Sequence, residues 1–178
     1  MSSMLLSPFK VEHFPLLSSW FETAKNLYVF GGPQFTFPLD EQQLQAYSAD
    51  QDKHAYCAVD KTSNETVGHC EFNYSEEIPT LSRLFITAKR RGEGLGEELV
   101  RMMSQMLFEK EQIHEIQLYV FEFNTAARKC YEKVGFTIRQ KETTYLKVEG
   151  EVWTRLKMKL TRKEFEMSQA ELSEPSFT

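Results

Sequence analysis

A glycine-rich turn carries the residues of this chain that are best suited to chemistry. The run Arg91-Gly92-Glu93-Gly94-Leu95-Gly96 follows the apolar segment Leu84-Phe85-Ile86 and opens an amphipathic segment that continues to Leu107. This order predicts a strand, a tight turn and the start of a helix. Glycines let a ligand approach the backbone closely, and the free N–H groups of a helix N-terminus favour anions. The turn therefore predicts a site for a phosphate-bearing cofactor, although such a turn also serves plain packing.

The spacing of the turn argues against two common nucleotide sites. No Lys-Ser or Lys-Thr pair follows Gly96, so the run is not a Walker A loop. The glycine spacing Gly92-x-Gly94-x-Gly96 also differs from that of a dinucleotide fingerprint, and the preceding strand lies in mid-chain. The adjacent Arg90 and Arg91 carry charge suited to a pyrophosphate.

A second group of polar residues lies about thirty residues further on, in the pattern Asn124-x-x-Ala127-x-x-x-Tyr131-x-x-x-Gly135. Asn124 and Tyr131 are seven residues apart, which places them on one helix face two turns apart. The small Ala127 lies between them and leaves room for a ligand chain. A capping asparagine and a core tyrosine would give the same pattern without any ligand.

Both groups must be positioned by an alternation of strands and helices. The predicted elements are a strand at 5–10, helices at 12–23 and 41–48, strands at 55–59, 66–74 and 81–87, a helix at 95–107, a strand at 113–121, a helix at 124–134, and strands at 136–142 and 152–160. The strand–helix–strand order around the helix at 95–107 predicts a locally parallel pair, because such a crossover is right-handed. The fold class is α/β, a mixed and mostly antiparallel sheet with helices on both faces.

Composition restricts the classes of protein and partner. The chain has 178 residues, 41% of them hydrophobic, which suits one domain with one packed core. Its net charge of −5 makes nucleic acid a poor partner, and no apolar run is long enough to span a membrane. An odd number of cysteines, 3, without a C-x-x-C pair favours a reducing cytoplasm over disulfides or a metal site.

Taken together, the two groups resemble the GNAT superfamily of N-acetyltransferases. The pattern Arg91-x-x-Gly94-x-Gly96, then a helix and a strand, then Asn124, Ala127, Tyr131 and Gly135-Phe136, matches that family in order and spacing. The resemblance covers most of the chain, and the region before Ala55 fits only in outline. It implies a single acetyltransferase domain over residues 1–167, in which the parallel strand pair splays apart. Residues 168–178 are polar and are therefore expected to form a flexible tail.

The resemblance also implies roles for particular residues. Acetyl-CoA would be the co-substrate, without a metal, and Tyr131 would protonate the leaving thiolate. A backbone N–H near Leu84 to Ile86 would polarise the thioester carbonyl. The residues expected to bind the cofactor are Leu84, Phe85, Ile86, Arg91, Gly92, Glu93, Gly94, Leu95, Gly96, Asn124, Ala127 and Tyr131.

The general base is left open by the sequence. Glu71 is the first choice because strand alternation aims it, with Asn73, into the predicted cleft. His69 shares that parity, and ordered water is a third possibility. The aromatic segment from Tyr28 to Phe37 is read as a loop and is expected either to line the acceptor pocket or to pack between helices and sheet.

The leading interpretation is an N-acetyltransferase in which a primary amine of a small molecule, or of a protein N-terminus or lysine, attacks acetyl-CoA directly in a ternary complex. The alternatives are a non-catalytic acyl-CoA-binding sensor and an ATP-binding fold. The sequence does not identify the amine. A homodimer is possible, and a cytoplasmic location is expected.

Overall fold

An eight-stranded mixed sheet forms the centre of the computed structural model, which describes residues 2–173. The strands are β1 Met4–Pro8, β2 Lys53–Asp60, β3 Thr66–Asn73, β4 Thr80–Ile86, β5 Glu115–Phe121, β6 Thr137–Ile138, β7 Thr144–Val148 and β8 Glu151–Thr161. They are ordered β1-β2-β3-β4-β5-β8-β6, and β7 also pairs with β8. Every pair is antiparallel except β4 with β5, which confirms the predicted mixed sheet.

The parallel pair is short and then separates. β4 and β5 pair only at Thr80 with Gln117 and at Leu81 with Leu118, so the later residues of both strands diverge. On its other edge β4 shifts register against β3, because the partners step from His69–Phe85 to Glu71–Ser82. The extra residue in β4 makes a β-bulge, in which Arg83 adopts a left-handed backbone with φ of 49°. The predicted splay of the parallel pair is confirmed.

Helices cover both faces of the sheet, as predicted. They are α1 Phe14–Ser19, α2 Ala24–Gly31, α3 Glu41–Ser48, α4 Leu95–Phe108, α5 Thr125–Val134 and α6 Arg162–Ser173. The apolar stripe of α4, including Leu99 and Met103, packs with the sheet, α5 and Phe165 in the larger core cluster. A second cluster holds α1, α2 and α3 against the opposite face, where Phe85 is its contact on β4.

Two predicted elements, one loop and one strand, are wrong in part. The segment read as an aromatic loop begins inside α2, because Thr23 caps this helix by accepting a hydrogen bond from the Asn26 N–H. The glycines and proline of this segment end the helix only at its C-terminus, where Gly32 has φ of 61°. The predicted strand at 136–142 is interrupted by a 3-10 turn, so β8 pairs first with β7 and then with the two-residue β6.

The predicted flexible tail is also corrected. Residues 168–173 belong to α6, which is anchored where the Ser168 hydroxyl donates to the Val134 carbonyl at 2.9 Å and where Phe165 is buried. A polar composition did not reveal this docking, since a helix needs only a few buried contacts. Residues 174–178 lie outside the described part of the chain.

No helix among residues 2–173 has the length and apolar character needed to cross a bilayer.

Candidate active site

A cleft of about 1030 Å³ opens where β4 and β5 diverge. Its walls are the later residues of these two strands, the glycine turn with the start of α4, one face of α5, and α2 with the turn after it. All the predicted cofactor-binding residues line this cleft except Glu93. The structure therefore brings together the two groups of residues that the sequence separates by about thirty positions.

The glycine turn forms an anion cradle at one end of the cleft. Gly92 and Gly94 have φ values of 82° and 81°, a backbone region that residues with a side chain rarely adopt. The first hydrogen bond of α4 that involves its cap runs from Glu98 N–H to the Gly94 carbonyl, and no side chain caps the helix. The N–H groups of the first turn, from Leu95 to Glu97, are therefore available to a ligand. This end of the cleft suits a phosphate or pyrophosphate.

The two arginines beside the turn are used differently. The Arg90 guanidinium is engaged by Asp60 and Glu93, each at 2.9 Å. The hydrogen bonds that Asp60 accepts, first from the backbone at Ser63 and then from Arg90, lower its pKa to about 2. Arg91 instead donates to the Ile86 carbonyl at 3.2 Å and lies over the Phe85 ring. The charge of Arg90 therefore holds the turn, and of these two arginines Arg91 is the one without a carboxylate partner among residues 2–173.

The open edge of β4 presents backbone groups to the cleft. Thr87 N–H donates to the Val67 carbonyl, so at this residue the backbone points toward β3. Backbone groups of a strand alternate in direction, which turns those of Ile86 and Leu84 toward the gap left by β5. An acyl carbonyl in the gap would meet N–H donors here.

Helix α5 supplies the other wall. Asn124 caps it by accepting from the Ala127 N–H at 3.3 Å, so the predicted cap is confirmed and its amide NH₂ remains available. Tyr131, two turns further along the same helix face, is 8% exposed and lines the cleft. Its hydroxyl has no hydrogen-bond partner among residues 2–173. Burial, and secondarily the nearby Cys130, raises the pKa of Tyr131 well above its usual value. The hydroxyl therefore keeps its proton at neutral pH and is available as a hydrogen-bond donor in the cleft.

Glu71 does not point into the cleft, contrary to the prediction. It is fully buried on β3 and accepts from the Tyr47 hydroxyl at 2.6 Å, the Asn73 amide at 2.9 Å and the Arg83 guanidinium at 2.7 Å. The alternation of β3 was predicted correctly, because Asn73 lies on the same face of the strand as Glu71. The helices α1 to α3 cover that face, and this tertiary contact is not visible in the strand pattern.

His69 lies deeper in the same layer and also does not line the cleft. Its ring contacts Phe9 and Phe30 at centroid distances of 4.9 and 5.5 Å, and its Nδ1 lies 3.3 Å from the Arg83 carbonyl. Burial lowers the pKa of His69 to about 3. An imidazole with this pKa is a weak base at neutral pH.

The sequence did not single out several other residues of the cleft. Lys129 and Lys133 on α5 flank the anion cradle, and Phe123 precedes this helix with half of its surface exposed. Lys25 on α2 and Arg155 on β8 line the opposite side. The two lysines were not singled out because lysines on an amphipathic helix usually lie on its solvated surface. Arg155 was not singled out because its position depends on the pairing of β8 with β5.

A family model and several known enzymes match this chain. Residues 3–137 match the family model of the GNAT acetyltransferase domain. The aminoglycoside N(6′)-acetyltransferase type 1 of Klebsiella pneumoniae is 26% identical over 145 residues, 72% of this chain and 71% of that protein. The mycothiol acetyltransferase of Corynebacterium glutamicum is 32% identical over 104 residues, 58% of this chain and 35% of that protein.

Solved structures agree on the fold. An aminoglycoside acetyltransferase in complex with coenzyme A and kanamycin superposes with a TM-score of 0.71 at 22% identity, covering 94% of this chain and 99% of that one. A chimera that includes the spermidine N-acetyltransferase of Vibrio cholerae gives a TM-score of 0.74 at 17% identity, with coverages of 93% and 99%. The chain belongs to the GNAT acetyltransferase family. It is an N-acetyltransferase that takes acetyl-CoA as its co-substrate, and membership of this family supports catalysis over a non-catalytic sensor.

Proposed function

We propose that the protein transfers the acetyl group directly to a primary amine while both substrates occupy the cleft. The observation that carries this proposal is the Tyr131 hydroxyl, which belongs to a cleft-lining residue, has no hydrogen-bond partner among residues 2–173 and stays protonated because of its burial. The cleft volume of about 1030 Å³ is large enough for a cofactor arm and a small acceptor together. Acetyl-CoA supplies an activated thioester, and the protein orients the two substrates and transfers protons.

The cradle and the strand edge hold the thioester in place under this proposal. The N–H groups of Leu95 to Glu97, with Arg91, bind the pyrophosphate, and the Asn124 amide bonds the pantetheine arm. A β4 backbone N–H at Leu84 or Ile86 donates to the carbonyl oxygen as negative charge develops there. One such donor contributes about 3 kcal/mol to stabilising the transition state.

Tyr131 donates its proton to the sulfur as the carbon–sulfur bond breaks and the new carbon–nitrogen bond forms. The departing thiol has a pKa of roughly 8.5, so it leaves fairly well without help. Tyr131 therefore accelerates the step without being indispensable. Cys130 also lines the cleft, but burial raises the pKa of its thiol to about 11. A protonated thiol is a poor nucleophile, which supports direct transfer over an acetyl-cysteine intermediate.

Water in the cleft is the proton acceptor that the geometry supports best. The amine must lose a proton, at a cost of roughly 4–5 kcal/mol at pH 7 for an alkylamine with a pKa near 10.4. The Glu71 carboxylate already accepts from three donors behind the strand wall, and His69 is a weak base. We assign Glu71 a positioning role, in which it holds the Arg83 side chain and with it the bulge of β4.

The acceptor class is an amine of a small molecule, in keeping with the aminoglycoside acetyltransferase that is 26% identical to this chain. Protein N-termini and lysines remain a second class. Three unbridged cysteines support a cytoplasmic location, and a homodimer is compatible with the fold.

Steady-state kinetics test the direct mechanism. Initial rates of thiol release, measured while acetyl-CoA and an accepted amine are both varied, should give intersecting reciprocal plots. Parallel plots, with acetylated protein detected by mass spectrometry in the absence of amine, would show a covalent intermediate and overturn direct transfer.

A further inference from the structure

The acceptor side of the cleft can be separated from the cofactor side by strand parity. On β5, Leu118 and Val120 point into the core that contains α4 and α5. The alternate residues Tyr119 and Phe121 therefore face the opposite side, where Phe121 packs with α2 and the β7–β8 hairpin. An acceptor that approaches the thioester from this side meets Tyr119 and Phe121 first.

Two cations stand on this acceptor wall. Arg155 lies over the Tyr119 ring at 4.4 Å, and Lys25 lies over the Trp153 ring at 5.4 Å. Trp153 and Arg155 are two residues apart on β8, so they share a face. Both cations line the cleft.

Neither cation has a carboxylate partner among residues 2–173. Arg155 Nε donates to the Thr144 hydroxyl at 3.1 Å, which fixes the side chain and leaves its two terminal nitrogens without an acceptor in that part of the chain. Glu151 and Glu76 stand near this wall, but neither lines the cleft and each already has a partner. Glu151 accepts from the Trp153 indole at 3.0 Å, and Glu76 accepts from the Tyr119 hydroxyl at 2.8 Å while it pairs with Lys157.

Among residues 2–173, the rest of the cleft adds no negative charge on this side. Glu97 is the carboxylate that lines the cleft in the described residues, and it stands on α4, where it pairs with Arg101 and Lys133. A polycationic amine would meet two like charges and no counter-charge. An arginine clamped at Nε, with a free pair of terminal donors, is instead arranged to bind an oxyanion with two parallel hydrogen bonds.

We propose that the acceptor carries a carboxylate close to its amine, as an amino acid does, and that Arg155 binds this carboxylate with Lys25 in support. This inference rests on the proposed function and specifies its acceptor. It separates the protein from the relatives named for aminoglycosides and from the spermidine acetyltransferase whose fold it shares, because those names denote polycationic amines.

Matched acceptors test the proposal in the full chain. We expect kcat/KM for amino acids to exceed that for the corresponding carboxamides by roughly 100-fold, the effect typical of a charge-assisted hydrogen-bonded pair. The amide has the less basic amine, so a larger fraction of it is unprotonated and the comparison is biased against the proposal. Spermidine and kanamycin should be the poorest substrates. Equal rates for acid and amide, or a preference for the polycations, would overturn the proposal.

Charge-neutral variants test whether Arg155 causes the preference for the acid over the carboxamide. Arg155→Gln should bring the ratio of kcat/KM for the acid to kcat/KM for the carboxamide most of the way to 1, chiefly by raising KM for the acid. Arg155→Lys should restore part of the preference, since charge returns without the paired donors. Lys147→Gln is the matched control, because this exposed lysine of the same hairpin does not line the cleft. An unchanged acid preference in Arg155→Gln would refute the role of Arg155.

A binding measurement separates this inference from the proposed function. N-acetyl amino acids and their carboxamides are titrated into the protein in the presence of coenzyme A. Tighter binding of the acids, weakened by Arg155→Gln, would support the acceptor class even if no amine were turned over. Equal binding of acids and amides would overturn it even if turnover occurred.

Discussion

At the scale of the residue, Tyr131 is the group on which the proposed proton transfer depends. Tyr131→Phe removes one hydroxyl and keeps the ring that packs against Phe136. We expect kcat to fall about 10²-fold, at the low end of general acid catalysis because a thiol is a fair leaving group. The melting-temperature shift produced by coenzyme A should stay close to that of the wild type. An unchanged kcat would remove Tyr131 as the acid.

Glu71 gives a second test at this scale. Replacing it by glutamine leaves Arg83 without its counter-charge, and breaking such a buried pair costs roughly 3–5 kcal/mol of stability. The pH dependence of kcat/KM in the folded variant separates positioning from catalysis. A positioning role predicts a lower rate with the wild-type acid limb. If the acid limb disappeared in Glu71→Gln, Glu71 would be the base after all.

These two residues also show what sequence reasoning can reach. The seven-residue spacing on one helix placed Asn124 and Tyr131 correctly, because a local period fixes which residues share a face. Alternation on β3 assigned Glu71 to the correct face but gave no information on what covers that face. The helices α1 to α3 decide that point through long-range contacts.

At the scale of the element, the start of α4 links stability to cofactor binding through Gly96. A Cβ built at Gly96 would meet only Cys130 Sγ, at an ordinary 3.6 Å, and the residue is helical. Gly96→Ala should therefore stabilise the protein by up to about 1 kcal/mol. The added methyl would nevertheless occupy the cradle, so coenzyme A should bind at least 10-fold more weakly.

Thermal melts with and without coenzyme A measure both effects in one experiment. Gly150→Ala is a control in the β7–β8 turn, where φ is 86° and the alanine is strained without touching the cleft. It should lower stability and leave cofactor affinity unchanged. Wild-type affinity in Gly96→Ala would show that the pyrophosphate is held elsewhere.

Element positions were predicted better where the pattern is local and strong. The apolar stripe of α4 and the alternating side chains of β5 predicted the bounds of both elements to within a few residues. The helix α2 was missed because it ends at Gly31, directly before Gly32 and Pro33, and these breakers dominate the composition of the segment. The splay of β4 and β5 was expected only by resemblance, since pairing between distant strands leaves no local signal.

At the scale of the whole molecule, buried His69 predicts a loss of stability in acid. Its folded pKa, about 3, lies below the unfolded value of about 6.5. The unfolded chain therefore binds a proton first, and stability falls from pH 6.5 downward by about 1.4 kcal/mol per unit until pH 3. Below about pH 4.5 the protonation of Glu98 adds to the loss, since hydrogen bonds from Ser2, Ser3 and Met4 lower its pKa despite desolvation, which raises it.

The window between pH 4.5 and 6.5 isolates the contribution of His69. His69→Phe removes the titration and keeps a ring among Phe9, Phe30 and Tyr47. Denaturant unfolding across this window should show a clearly flatter pH dependence for the variant than for the wild type. The same slope in both proteins would mean that another group accounts for the acid sensitivity.

The central claim, that the chain is a working N-acetyltransferase, is tested most directly by product analysis. The protein is incubated with acetyl-CoA and a panel of amino acids, polyamines and aminoglycosides, and the products are identified by mass spectrometry. We predict an amine that gains one acetyl group, with one equivalent of free thiol released for each product molecule. Thermal stabilisation by coenzyme A without acetylation of any amine would contradict the account, because such a protein would bind the cofactor without catalysing transfer.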